Sequence, residues 1–493
     1  HLLVVADLPS AGALRELAAS RPRTELLLAL ERPPATRPSA QRAPLLLALG
    51  AGGLGRGALT SATTRIDALV TAADLAPTVL RWLGRRGPAA FTGQAIGVGA
   101  ARSPGWYRSF AARLAVIRGR REGVLAAFAA AWALLLAASL ALRRRAAPAL
   151  RLGALAALWA PALALLTAAL APDAAAESAI IVGGSFAAAL ATDRAVAWPR
   201  SAALPVAAVL ALFTVDLARG SPLTDRSLIG PDPIAGNRFF GAGNELAALL
   251  PVALLTGVAA ALPQRPPTRR EIALLALAGA ALTAVLAWGR MGANVGAIMT
   301  AGAATAASCV LLAGPTRRRL ALAVLAPIAA LGALALLDLA TGGGAQFTRE
   351  VLHAHSLGAL LATLGRRLRE AWSALSPGLV LPATAVLLGA VAVALRPGTR
   401  VFEPLADASA WPAALRGALA GSLLGALAAD SGPRVLLVGC AMLACAIAYV
   451  RGGPVVTSSY RTLSGTRNTR TRVRHPPAGP ALFPRRRDNL DDE

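Results

Sequence analysis

Lysine is absent from this 493-residue chain, so its 50 basic side chains are all arginine. Charge of any kind is scarce at 15% of residues. A soluble chain of this length carries roughly a quarter charged residues, so a single water-surrounded globule is excluded. Cysteine is nearly missing: Cys309, Cys440 and Cys445 all lie in apolar stretches, without metal-ligand spacing or a nearby histidine. They read as small packing residues and say nothing about redox compartment. Histidine is equally sparse, with none between His1 and His353.

What is present is apolar. Hydrophobic residues make up 56% of the chain, and the mean hydropathy is +0.57. Several stretches approach the ~20 residues that cross a bilayer as a helix. The pattern predicts a mainly α, polytopic transmembrane bundle of about eleven spans within residues 123–450. The expected limits are 123–142, 152–171, 178–192, 202–218, 244–262, 272–288, 293–313, 320–338, 379–395, 414–429 and 434–450. Membrane lipids are therefore the expected partners.

The net charge of +25 would suit nucleic acid if the arginines were clustered on a folded surface. Instead they sit in short loops between apolar segments, where they set topology, and no nucleic-acid partner is expected. One set of alternate loops carries Arg143, Arg144, Arg145 and Arg151, then Arg194 and Arg200, then Arg265, Arg269 and Arg270, then Arg317 to Arg319, then Arg396, Arg400 and Arg416. The positive-inside rule places this set in the cytoplasm with the polar, basic and disordered tail 451–493. Residues 1–122 and loops 219–243 and 339–378 then face outward, against the local vote of Arg118, Arg120 and Arg121. The chain opens at His1 rather than methionine, and an upstream signal or anchor is expected.

Residues 1–100 read differently. Short apolar runs at 2–6, 25–30 and 44–49 have strand length, with helices expected at 12–19 and 73–83, the latter stopped by Gly84. This alternation suggests a partial α/β domain. Residues 101–122 are arginine-rich and fit an amphipathic linker, an interfacial helix leading into the membrane. The run Leu59-Thr-Ser-Ala-Thr-Thr-Arg, then Ala68-Leu-Val, then Ala73-Asp-Leu-Ala-Pro-Thr-Val-Leu with Leu83-Gly84 and Thr92-Gly93, resembles the end of an alkaline-phosphatase/sulfatase superfamily domain. Asp74 is expected to cap the helix, with Pro77 in its first turn. The superfamily's Asp-His metal ligands have no counterpart here, since Leu30 is followed by Glu31-Arg32-Pro33-Pro34. The resemblance therefore implies a non-catalytic domain with no metal site.

Ionisable groups at span ends are the functional candidates. Asp216 closes the fourth span. The string Gly236-Asn237-Arg238-Phe239-Phe240-Gly241-Ala242-Gly243-Asn244-Glu245 follows it. Its glycines permit close backbone approach. Arg238 can grip a phosphate or carboxylate with its planar fork, and the helix starting at Asn244 favours an anion at its N-terminus. The competing reading is an interfacial turn with Asn244 as N-cap. Arg290, Asn294 and Asp430 lie in turns on the same side. His353 and His355 make only a weak metal signal. The expected site has Asp216 and Glu245 as catalytic carboxylates, and Asn237, Arg238, Asn244, Arg290, Asn294 and Asp430 as substrate-binding groups. Arg238 should fall within salt-bridge reach of Asp216 or Glu245. No cofactor is named by the sequence.

From about residue 24 to 450 the composite resembles bacterial membrane proteins of unassigned function, in which a phosphatase-like outer domain precedes a bundle with an Arg-Phe-aromatic-Gly-x-Gly-Asn-Glu loop. The expectation is a cell-envelope membrane protein that processes or transfers an anionic lipid-linked or polymer substrate at the outer leaflet. A transporter or flippase is the alternative, and a non-catalytic scaffold the third.

Overall fold

The computed structural model describes residues 7, 10–31, 45, 47–52, 54–88, 91–143, 146–235, 238–340, 380–406, 409–429 and 431–454. The expected site residues Asn237 and Asp430 lie outside them, as do His353, His355 and the tail from residue 455.

The N-terminal segment is small and sparsely paired. Helix α1 (Ala11–Ser20) starts where the Ser10 hydroxyl accepts the Ala13 N–H. Strands β1 (Leu27–Leu30) and β2 (Leu47–Gly50) pair antiparallel, with Leu27 opposite Gly50. Strands β3 (Leu59–Thr60) and β4 (Gly97–Val98) form a second antiparallel pair. No larger sheet joins them among the described residues. Between them runs α2 (Leu75–Trp82), followed by Gly84 at φ +69°.

Asp74 is buried just ahead of α2, but its carboxylate does not cap that helix as the sequence suggested. It turns back to accept from Ser61 Oγ at 2.8 Å and from the backbone N–H groups of Thr71 (2.9 Å) and Gln94 (2.8 Å). Gly93 is required beside it, because a Cβ there would strike the carbonyl of Ala73. The Asp74…Thr92-Gly93 spacing thus ties a turn to a distant loop.

Each of the eleven expected spans overlaps a helix, the seventh only in its second half. These are α3 (Pro104–Ala141), α4 (Ala147–Leu170), α5 (Ala174–Ala195), α6 (Ala203–Ala218), α7 (Asn244–Ala261), α8 (Arg269–Ala287), α9 (Ala303–Ala313), α10 (Arg317–Ala340), α11 (Val380–Ala394), α12 (Trp411–Ala428) and α13 (Gly432–Arg451). A π-helical turn, Ile298–Gly302, leads into α9. Among the described residues, seven helices are long and apolar enough to cross a membrane: α3 to α5, the Arg200–Ala218 helix containing α6, α7, α8 and α13. Leucines on the outside, such as Leu134, Leu277 and Leu336, are more than two-thirds exposed or close to it. Such a surface suits hydrocarbon, where every backbone polar group must be satisfied within its own helix.

Two helices define the layout. In α7, 78% of the most apolar window is buried, against 6% in α3. Helix α7 is the axis of the bundle, touching α6, α12 and α13. Close packing around it depends on small residues. Gly417, Gly421 and Gly425 of α12 face Ser308, Ala304 and Thr300 so tightly that a Cβ on any of them would collide. Helix α3 is peripheral and continuous over 38 residues. The stretch 101–122, expected as an interfacial helix leading into the first span, is continuous with it: the helix is started by Ser103 and Pro104.

Candidate functional site

The site is built at one end of the bundle from residues 219–235 and 238–243, the turn 288–297, and Ser431 ahead of α13. Asp216, in the last turn of α6, is 4% exposed. Its two carboxylate oxygens accept the backbone N–H groups of Leu223 (3.0 Å) and Thr224 (2.8 Å). This folds the loop back as a 3-10 turn, Thr224–Arg226. Ser221, at φ +59°, ties the two ends of the loop together. Its hydroxyl donates to Asp225 Oδ2 (3.1 Å) and accepts the Gly241 N–H (3.0 Å). Burial pushes the Asp225 carboxyl up to about 8, and the neighbouring Asp216 charge adds to the shift.

The glycine-rich string is stitched to the turn 288–297 and to Ser431. Gly241 sits at φ +80°, and a Cβ there would strike the carbonyl of Gly292. Ala242 N–H donates to that carbonyl at 2.8 Å. Asn294, 2% exposed, donates from one amide to Ala242 O and to Asn244 Oδ1, each at 3.0 Å. Asn244 donates to Ser431 Oγ at 2.7 Å, and Arg238 Nη1 donates to Ala293 O at 2.9 Å. From the N-terminal segment, Arg65 stacks over Phe240 at 4.4 Å and donates to Gly289 O.

Several expectations need correction. Among the described residues Arg238 makes no ion pair with Asp216 or Glu245; its Nη1 donates to Ala293 O, and it holds a further partner of its own. Asp216 spends both oxygens on backbone donors, which makes it the clasp of the loop. The N-cap of α7 is Gly243, and Asn244 is the first helical residue, its side chain turned toward Ser431 and Asn294. Arg290 is exposed on the turn and holds a partner of its own. Glu245 is half-buried in the first turn of α7 and has neither a hydrogen bond nor an ion pair among the described residues. The structure brings Arg238, Asn244 and Asn294 together at the 288–297 turn, sets Glu245 beside Asn244 in the first turn of α7, and separates Asp216 from them in role. A guanidinium, amide groups and a partner-free carboxylate at a helix N-terminus can hold an oxyanion and take up a proton. Among the described residues no group of His, Cys, Asp and Glu gathers as a metal site.

One cluster at this end has no forerunner in the sequence reading. Glu177, fully buried in the first turn of α5, receives Arg113 bidentately at 2.7 and 2.9 Å and Arg120 at 2.8 Å. Arg120 also donates to Pro172 O. Read from the sequence, Arg120 is a topological charge. The signal it hides is a lone acid, Glu177, at the start of an apolar run.

No family model, no curated protein and no solved structure matches the chain.

Proposed function

We propose that this chain is a multi-pass membrane protein of the cell envelope that binds an anionic lipid-linked substrate at its outer face and processes or transfers it there. The observation that carries the reading is a cleft of about 600 Å³ between α8, the π turn, α9 and α10. Its walls are almost wholly apolar, including Ala276, Ala280, Ala306 and Pro327. One end of it lies at Ala287 and Ile298, the two residues that flank the turn carrying Arg290 and Asn294; at the other end is Arg319, which is spent on the carbonyls of Ala313 and Gly314. A hydrocarbon tail in the cleft would therefore bring its head group to the polar end where Arg238 and Glu245 lie. The arginine bias of the opposite loops supports an outward site. The likeness of residues 24–100 to the end of a phosphatase-type domain supports a phosphate-bearing substrate, and the Asp74–Gly93 tie gives that motif a structural role.

The π turn and the interior prolines Pro161, Pro251 and Pro327 favour a transporter or flippase as the second reading. Against it, the charged groups collect at helix ends, whereas transporters place them near the midplane.

The test is mass spectrometry of lipids retained by the full chain purified in mild detergent. The wild type should retain an anionic lipid, and Ala276→Phe with Ala280→Phe should lose it. Arg238→Lys keeps the charge without the fork and should also lose it while the melting temperature holds. Equal retention by all three proteins sinks the proposal. Equal transbilayer movement of labelled lipid in Glu245→Gln and wild-type vesicles would favour the transporter.

A further inference from the structure

A second cationic site lies away from the Arg238 group, where loop 219–243 meets the first half of α3. Arg226 ends the 3-10 turn, and its guanidinium carbon lies 5.3 Å from the centre of the Phe110 ring and 5.8 Å from that of Trp106. Trp106 and Phe110 stack at 5.1 Å with planes 15° apart. Arg102 approaches the same indole, at 5.0 Å. Two guanidinium groups thus share one aromatic ring. The turn is held in place because Arg113 Nε donates to the Arg226 carbonyl at 2.9 Å. Ile66, Ala68 and Leu69 of the N-terminal segment pack on the apolar side of the cluster.

The charges here do not balance. Arg102 has Asp67 at 3.4 Å, a pair that is more than a third exposed on each side. Arg226 has no hydrogen-bond acceptor and no ion pair among the described residues, although it is half-buried. Its sequence neighbour Asp225 forms no ion pair with it among the described residues and accepts instead from Ser221 Oγ at 3.1 Å. Burial and the Arg102 charge both weaken the protonated form of Arg226, with Asp225 opposing them. A half-buried guanidinium with five donors and no acceptor is costly unless something from outside completes it.

We infer that Arg226, Arg102 and Trp106 form a binding subsite for a phosphate ester, independent of the Arg238 site. A carboxylate is satisfied by one bidentate fork, whereas a phosphoryl group has oxygens enough to bridge two guanidinium groups. The indole supplies a flat wall that fixes both cations by cation–π contact. The site sits in the first turns of α3, outside the continuously apolar half of that helix that begins at Gly123. A phospholipid head group and a soluble phosphate ester share this chemistry.

The experiment uses the full chain in phosphatidylcholine nanodiscs, titrated with dioctanoyl phosphatidate and, separately, with inorganic phosphate. The wild type should bind phosphatidate, Arg226→Gln should weaken binding at least tenfold, and Arg102→Gln several-fold. Preference for phosphatidate assigns the subsite to a lipid head group, and equal affinity assigns it to a soluble ester. No binding of either probe, or binding unchanged in both variants, overturns the inference. Should Arg226→Gln fail to fold, Arg102→Gln decides, because that side chain is 40% exposed and carries little of the packing. Arg226→Lys adds a check: it retains the cation, and weakened binding there shows that the planar fork is used.

Discussion

The two ends of the bundle handle arginine in opposite ways. At the end opposite the site, arginines finish helices and tie termini together. Arg151 pairs with Asp193 at 2.7 Å and donates to Gly452 O, and Arg416 donates to Leu395 O. Arg451 donates to Arg400 O, while Tyr449 links Ser201 to Pro199 O. Every one of these cations remains partly accessible or bonds a free helix-end carbonyl. At the site end the charges go inward. Glu177 has no exposed surface and takes two arginines, Asp216 is spent on backbone donors, and Asp225 is buried as an acid. A helix end that needs only termination spends charge on the surface. The site end buries it at a cost, which is the usual mark of a position under functional constraint.

The comparison can be broken most directly at Glu177. Glu177→Ala leaves Arg113 buried without its partner, and removing one member of a buried pair costs about 3–5 kcal/mol. A large fall in melting temperature of the detergent-purified protein is expected. A fall no greater than that of Arg151→Ala would erase the distinction between the two ends. Arg151→Ala itself should cost about 1–2 kcal/mol, because both partners are 20% exposed and charge-assisted hydrogen bonds are lost.

A third measurement follows pH. The Asp225 carboxyl is raised from 3.8 to about 8 in the folded chain, so between those values the folded state holds a proton that the unfolded state has released. Its contribution to stability is greatest below pH 3.8 and is lost as pH rises toward 8. Asp225→Asn should flatten this slope and stabilise the protein at alkaline pH. An unchanged melting profile between pH 5 and 9 would show that Asp225 ionises like a surface carboxylate. The smallest effect belongs to the exposed pair Arg265–Glu271 at the opposite end, where Arg265→Ala should leave the melting temperature unchanged within error.

Hydropathy made the helices legible. All eleven apolar stretches are helical because a long run without charge has few other ways to satisfy its backbone. It misplaced the start of the seventh, putting it at residue 293, because Ala293 to Ala297 are apolar enough to pass for helix. They form a turn, with Asn294 N–H bonded back to Leu286 O. The Gly-rich string was read as backbone able to approach a ligand closely, and in the structure Gly241 closes instead against the carbonyl of Gly292. Its pairing partners were not, since Arg238 and Ala293 are 55 residues apart. The separation of Arg113 from Glu177 hid their pairing in the same way, and nothing in either local sequence marks it.

That separation bears on how the chain is made. Arg113 and Arg120 belong to α3, and the carboxylate that neutralises them arrives with α5, 64 residues after Arg113. At roughly 5–20 residues per second of synthesis, the two cations wait several seconds for it. During that interval α3 has to stay at the water boundary, with its arginine-bearing half undocked. Docking of the amphipathic half of α3 is thus timed by the emergence of a single glutamate. A Glu177 variant would then show its defect first as a nascent chain that is open to protease, before any loss of stability in the finished bundle.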